Sequence, residues 1–183
     1  MKSLEGQFLF ASPQLVDANF AKAVVLMIQH NDEGALGVIV NRPTCKTVEE
    51  LWGEVGDEPC ESQRPIYLGG PVSGPLMSVH TDRSLAELEI LPGLFFAAKK
   101  NHLDQLVLGE DGRYKVFVGH AAWSPGQLEG EIEAGAWRTV PATAEYVFYD
   151  GEGLWEQGFK RIGESLLQSI LKIKHVPEDP SMN

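Results

Sequence analysis

The chain has 183 residues, 43% of them hydrophobic and 22% charged, a balance that fits one soluble globular domain with a sizeable core and excludes fibrous or disordered architecture. Lys and Arg number 15 against 26 Asp and Glu, a formal charge of −11, so the chain as a whole repels polyanions. Duplex binding draws on counterion release onto a basic face. Only the C-terminal end approaches one, with Lys160, Arg161, Lys172 and Lys174 diluted by Glu164, and direct nucleic-acid contact is not expected.

The first apolar stretch, Phe8 to Ala11, is too short for a signal-peptide core of about 7 to 15 residues. The longest apolar run, Ala23 to Ile28, is far below the roughly 20 residues that cross a bilayer. A cytoplasmic location without membrane association is expected. Cys45 and Cys60 lie in a stretch rich in Gly, Pro and acids; a reduced pair is expected there, with a surface disulfide between them left open.

In chain order, residues 7–11 and 23–29 read as strands, the second apolar enough to be buried on both faces. Asn31 to Gly34 supply turn chemistry before a strand over 37–41, and these two strands should pair as a hairpin. Pro43 ends that strand. Thr47 followed by Glu50 is a capping-box signature for a short helix to Trp52. Residues 53–64, with Gly53, Gly56, Pro59 and four acids, read as an exposed excursion. Strands follow over 66–68, 76–80 and 94–98, then a helix over 101–108 and a strand over 114–119.

Ser124, Pro125 and Gln127 fit the N-cap, first turn and capping box of a further helix, with Leu128, Ile132 and Ala136 on one face. A strand over 144–149 and a helix over 154–162 complete the pattern, and 176–183 reads as a flexible tail. Strands and helices interleave, but hairpins outnumber βαβ units, which indicates an α+β or layered α/β domain over 1–183.

No motif carries a complete chemistry. The loop Gly69 to Gly74 has the glycine spacing of a phosphate loop but lacks the Lys and Ser or Thr that should follow, so it reads first as a tight turn and second as a small-anion nest. No serine sits in a nucleophile elbow, neither cysteine has a catalytic signature, and no metal-ligand spacing occurs. His30 beside Asp32 and His80 beside Asp82 lie where strands become turns, and backbone-bonded histidines are the first reading of both. Arg42 is a cation at a strand end, suited to gripping carboxylate or phosphate or to pairing with a surface acid.

The segments G-x-F-L-x-A-x-P (6–13), D-x-x-F (17–20), H-N-D-E-G-A-L-G-V-I-V-N-R-P (30–43), Y-L-G-G-P-V (67–72), V-H-T (79–81) and G-H-A-A-W-S-P-G-Q-L-E-G-E-I (119–132) stand in this order. Together they closely resemble the YqgE/AlgH family of bacterial proteins, over about 6–163. The resemblance implies a single α+β domain, a bent β-sheet folded into a pseudo-barrel with flanking helices, and a cytoplasmic protein. The family carries the label of transcriptional regulator without an assigned reaction. His30, Gly34, Gly37, Asn41, Pro43, Gly69, Gly70, Pro71, His80, Thr81, Gly119, Trp123, Gly126, Gln127, Leu128 and Glu129 match as signature positions. His120 departs from the pattern, and 53–64 looks like a variable insertion.

The expected function is therefore a noncatalytic binding or regulatory protein that acts through a protein or small ligand, with no cofactor or metal. The alternative is an enzyme or anion-binding protein with a strand-end pocket. The candidate ligand-binding residues are His30, Asn41, Arg42, Gly69, Gly70, Ser73, His80 and Thr81. Oligomeric state is left open.

Overall fold

The run Val24 to Ile28 has no polar residue, and in the computed structural model, which describes residues 3–109 and 112–163, it is buried on both faces. Val24, Leu26 and Ile28 join one apolar cluster, whereas Val25 and Met27 join another. This strand, β2 (Val24–Asn31), lies in an antiparallel sheet with β1 (Gln7–Ala11), β3 (Gly34–Ile39), β10 (Ala121–Trp123) and β11 (Trp137–Pro141), in the order β10-β3-β2-β1-β11. The second sheet has the order β4-β5-β9-β6-β8-β7 and contains β4 (Pro43–Thr47), β5 (Pro65–Leu68), β6 (Met77–His80), β7 (Leu88–Leu91), β8 (Leu94–Ala97) and β9 (Tyr114–Val118). Among the described residues only the β5–β9 pairing is parallel.

The α+β class holds, and the strands form two open sheets rather than a closed barrel. Their facing sides enclose the main core, which includes Phe8, Leu26, Val38, Met77, Val79 and Phe117. Each fully buried aliphatic or aromatic side chain there contributes about 1.5–3 kcal/mol. Helix α3 (Gln127–Glu133) covers the outer face of the first sheet. Helices α1 (Val48–Val55) and α2 (Lys100–Leu108) cover the outer face of the second. The short α4 (Ala144–Val147) and a helix α5 described over 154–163 close the side of the inter-sheet core with Val147 and Leu154.

Two corners carry the chain from one sheet to the other, at 40–42 between β3 and β4 and at 119–120 between β9 and β10. Residues 69–72 lie between these corners and bond to both. Ile39 N–H donates to Gly69 O, Gly69 N–H donates to Val118 O, and Val72 and His120 exchange both backbone bonds. The backbones approach so closely that only glycine fits. A Cβ on Gly69 would lie 2.3 Å from Gly119 O, and one on Gly70 2.3 Å from both C and O of His120.

Several sequence expectations change. Pro43 opens edge strand β4 instead of ending a strand, as an edge position tolerates the missing N–H. Residues 144–147 are helical, not extended, because Thr143 Oγ1 caps Tyr146 N–H. Helix α3 takes Gly126 in a left-handed conformation as its N-cap, and Ser124 contributes its backbone N–H to the Gln127 side chain instead of its hydroxyl to the cap. Strands β4, β7, β10 and β11 have no counterpart among the strands expected from sequence. The Thr47–Glu50 capping box is present in full, as is the antiparallel β2–β3 hairpin. Residues 53–55 extend α1, and 57–59 are exposed while Cys60 is buried beneath α1; both cysteines are free. The tail at 176–183 lies outside the described residues.

Candidate functional site

Strand β9 alternates Tyr114 and Val116 toward the helix-covered layer with Lys115 and Phe117 toward the inter-sheet core. Lysine at a core position must be satisfied locally, since an unpaired buried charge is costly. Lys115 is only 4% exposed. Its Nζ donates to Val40 O at 3.4 Å and Tyr149 O at 3.3 Å, pairs with Asp150 Oδ1 at 3.3 Å, and lies 4.2 Å from the centre of the Tyr67 ring. Burial lowers its pKa, and Asp150 opposes that shift. The Tyr67 hydroxyl donates to the same Asp150 oxygen at 2.9 Å; burial first, then Asp150, pushes the phenol well above its ordinary value.

Two further cations reach this point because β5 and β9 run parallel. The register Ile66 to Val116 places Arg64 and Arg113, which precede the two strands, at the same end of the sheet. Each guanidinium lies over an aromatic ring, Arg64 at 4.3 Å from the centre of Tyr114 and Arg113 at 4.9 Å from that of Phe148. Among the described residues the Arg64 side chain donates one long bond, 3.4 Å, to Gly112 O. Arg113 makes no side-chain hydrogen bond to a described residue. Arg64, Arg113, Lys115, Tyr67 and Asp150 line a cleft of about 160 Å³. On the other side of Tyr67 and Asp150 lies a larger cleft of about 360 Å³, bordered by Lys22, Asn41, Arg42 and Glu156. Lys22 holds a left-handed φ of 53°, rare outside glycine.

The residues singled out from sequence are distributed over the molecule. Asn41 and Arg42 reach the larger cleft, and Arg42 also borders a cavity of about 270 Å³ with Gly70 and Ser73. Their donors are already engaged. Asn41 accepts from Val24 N–H and donates to Lys22 O, and Arg42 donates to the carbonyls of Asn19 and Ala21. Both clamp the loop at 19–22. The amides of Gly69 and Val72 are likewise spent on backbone carbonyls, which fits the turn reading of that loop.

His30 does not join Arg42. Its Nδ1 accepts from Leu4 N–H at 3.0 Å, and Nε2–H donates to Glu129 Oε1 at 2.8 Å, so it fastens the N-terminal segment to α3. Thr81 exchanges bonds with Arg113, accepting its N–H on Oγ1. His80 is fully buried against Phe95, and neither ring nitrogen has a hydrogen-bond partner among the described residues; the neighbouring Ser78 Oγ is equally alone. Among the described residues no group of three His, Cys, Asp or Glu is placed to hold a metal ion.

Burial lowers the His80 pKa below 6.5, against the pull of Asp82 and Glu87 and with repulsion from His102. Below pH 6.5 the unfolded chain therefore binds a proton that the folded chain refuses, and stability falls as pH drops through that range. His80→Leu is expected to flatten the loss of Tm between about pH 7 and pH 5 and to stay within about 1 kcal/mol of the parent at pH 7. Thermal unfolding across pH checks it; an unchanged slope contradicts it.

Sequence reasoning did not find Arg64, Tyr67, Arg113, Lys115 or Asp150 as a group. The available signal was a lysine inside an otherwise apolar strand, Tyr114 to Val118.

A sequence profile described as AlgH-like matches residues 8–167. The UPF0301 protein of Chlorobaculum tepidum is 36% identical over 186 residues, covering 97% of this chain and 95% of that protein. A UPF0301 protein of Myxococcus xanthus is 37% identical over 168 residues, covering 89% of this chain and 93% of that one. In structure, the chain is similar to the AlgH protein of Pseudomonas aeruginosa, with a TM-score of 0.71, 28% identity and coverage of 98% and 100% of the two chains. A Corynebacterium diphtheriae protein at 24% identity shares the fold, with a TM-score of 0.70 over 88% of each chain. Among the described residues no helix is long and apolar enough to cross a membrane.

Proposed function

The chain belongs to the AlgH-like family, and on that premise we propose that it is a noncatalytic binding protein whose cleft between Arg64, Arg113 and Lys115 takes a phosphate or carboxylate group of a small ligand. One observation carries this reading: in a chain of charge −11, three cations, Arg64, Arg113 and Lys115, line one cleft that holds a single carboxylate, Asp150, which pairs with Lys115 and whose side chain is 76% exposed. Arginine offers a planar fork that matches both anion types. Stacking on Tyr114 and Phe148 fixes the two forks before a ligand arrives, which cuts the entropy lost on binding. Asp150 occupies the position an incoming anion takes, and the ligand exchanges with it beside Tyr67 and Lys115.

In this reading the protein acts in the cytoplasm, and a regulatory output passes to a protein or small-molecule partner instead of through direct DNA contact. The overall negative charge and the two free cysteines support those parts.

The test is thermal unfolding at constant ionic strength with inorganic phosphate and with small di- and tricarboxylates. A ligand at about 100 times its Kd adds about 2.7 kcal/mol, which raises Tm by roughly 5 °C or more for a domain of this size. Arg64→Gln with Arg113→Gln removes the shift. Asp150→Asn, which removes the competing charge, tightens binding by about tenfold. A shift equal in all variants, or none with any anion, overturns the proposal.

A further inference from the structure

A further cavity, of about 230 Å³, opens where β1 and β11 meet α4 and α5, away from the arginine cleft. Its walls are apolar: Phe8, Phe10, Val140, Tyr146, Leu154 and Ile162. Phe8, Phe10 and Leu154 belong to the main core between the sheets, so the cavity extends that core and no described side chain fills it. Gly158 makes the arrangement possible. A Cβ there would fall 2.1 Å from the Phe10 ring, so only glycine lets α5 close directly over that ring.

At the rim stands one charged side chain, Arg161, 5.1 Å from the centre of the Tyr146 ring and with no acidic partner among the described residues. Thr143 lines the same cavity; its oxygen accepts from Tyr146 N–H, and its hydroxyl donates to no described residue. An apolar cavity of about 150 Å³ lined by aliphatic and aromatic side chains stays dry and accepts a benzene-sized guest. The present one is larger, and its lining includes the Arg161 cation and the Thr143 hydroxyl, with Gln157 as its other polar side chain.

We propose that this cavity binds an amphiphilic carboxylate, a short-chain to medium-chain acyl acid whose hydrocarbon tail fills the space between Phe10, Val140 and Leu154 and whose carboxylate meets Arg161 and Thr143. The tail completes the core packing, and the head group supplies a counter-ion to Arg161, which pairs with no acid among the described residues. The inference does not depend on the anion cleft, because the two sites share no residue.

The test uses the full chain in calorimetric titrations with hexanoate, octanoate and decanoate and with the alcohols of the same lengths. Affinity should rise with chain length up to the capacity of the cavity, and each carboxylate should bind about tenfold more tightly than its alcohol. Arg161→Gln should bring the two to near equality and leave the alcohol unchanged. Val140→Trp, which fills the cavity, should abolish both; Leu154→Phe serves the same purpose if the larger side chain prevents folding. Absence of binding by every probe overturns the proposal, as does a carboxylate preference that survives Arg161→Gln or full binding by a folded cavity-filled variant.

Discussion

Gly70→Ala is expected to destabilise the protein by at least about 4 kcal/mol, most of the margin of a domain whose folding free energy is of order 5–15 kcal/mol. Two costs combine. Gly70 has φ +154°, where L side chains rarely sit, and its Cβ would lie 2.3 Å from His120 C and O and 2.5 Å from Ala121 N. These are backbone atoms at the corner where β9 becomes β10, so relief requires moving a corner that Gly69, Gly70 and Gly119 hold from opposite sides. Gly119, with φ +71°, would place its own Cβ 2.5 Å from Gly70 O. Gly126→Ala separates strain from contact. Its φ is +76° with nothing within 4 Å of the added carbon, and the left-handed penalty alone is about 1–2 kcal/mol. Urea unfolding of both variants checks the difference; equal losses contradict the close-approach account.

Glu131→Ala carries the next largest expected effect, about 2–4 kcal/mol, because it orphans two buried donors at once. The Glu131 Oε2 accepts from Trp123 Nε1 at 3.0 Å and from Trp137 Nε1 at 2.8 Å, while Oε1 accepts from Gln127 at 2.9 Å. Trp137 is 1% exposed and packs edge-on to Trp123, so both indoles rely on this carboxylate as their acceptor. This single side chain of α3 fastens the helix to β10 and β11. Glu131→Gln keeps an acceptor oxygen and should recover about half of the loss. Denaturant titration followed by tryptophan fluorescence reads both variants, and a loss below about 1 kcal/mol for Glu131→Ala contradicts the assignment.

Much of the fold was legible because its signals are local. The unbroken apolar run of β2 announces burial on both faces, the Thr47–Glu50 pair announces the start of α1, and the turn residues 31–34 announce the β2–β3 hairpin. The short edge strands β4, β7, β10 and β11 were missed because a few residues with one covered face carry little periodicity. Residues 144–149, A-E-Y-V-F-Y, alternate well enough for a strand, and the Thr143 cap decides otherwise over 144–147.

The candidate site was far less legible. Asn41 and Arg42 were singled out as strand-end polar groups and do border a cleft, yet their hydrogen bonds are spent on the loop at 19–22. Arg64 and Arg113 become neighbours only through the parallel pairing of β5 with β9. Lys115 and Asp150 meet only because the segment after α4 folds back over the end of the inter-sheet core. Such convergence depends on sheet order, which no spacing in the chain records.

The most direct test of the anion cleft is an NMR titration of the intact protein with inorganic phosphate at constant ionic strength. The account predicts saturable shifts concentrated on Arg64, Tyr67, Arg113, Lys115 and Asp150, and absent at residues 69–74. Shifts that track only bulk salt, or that centre on the glycine turn instead, would contradict it.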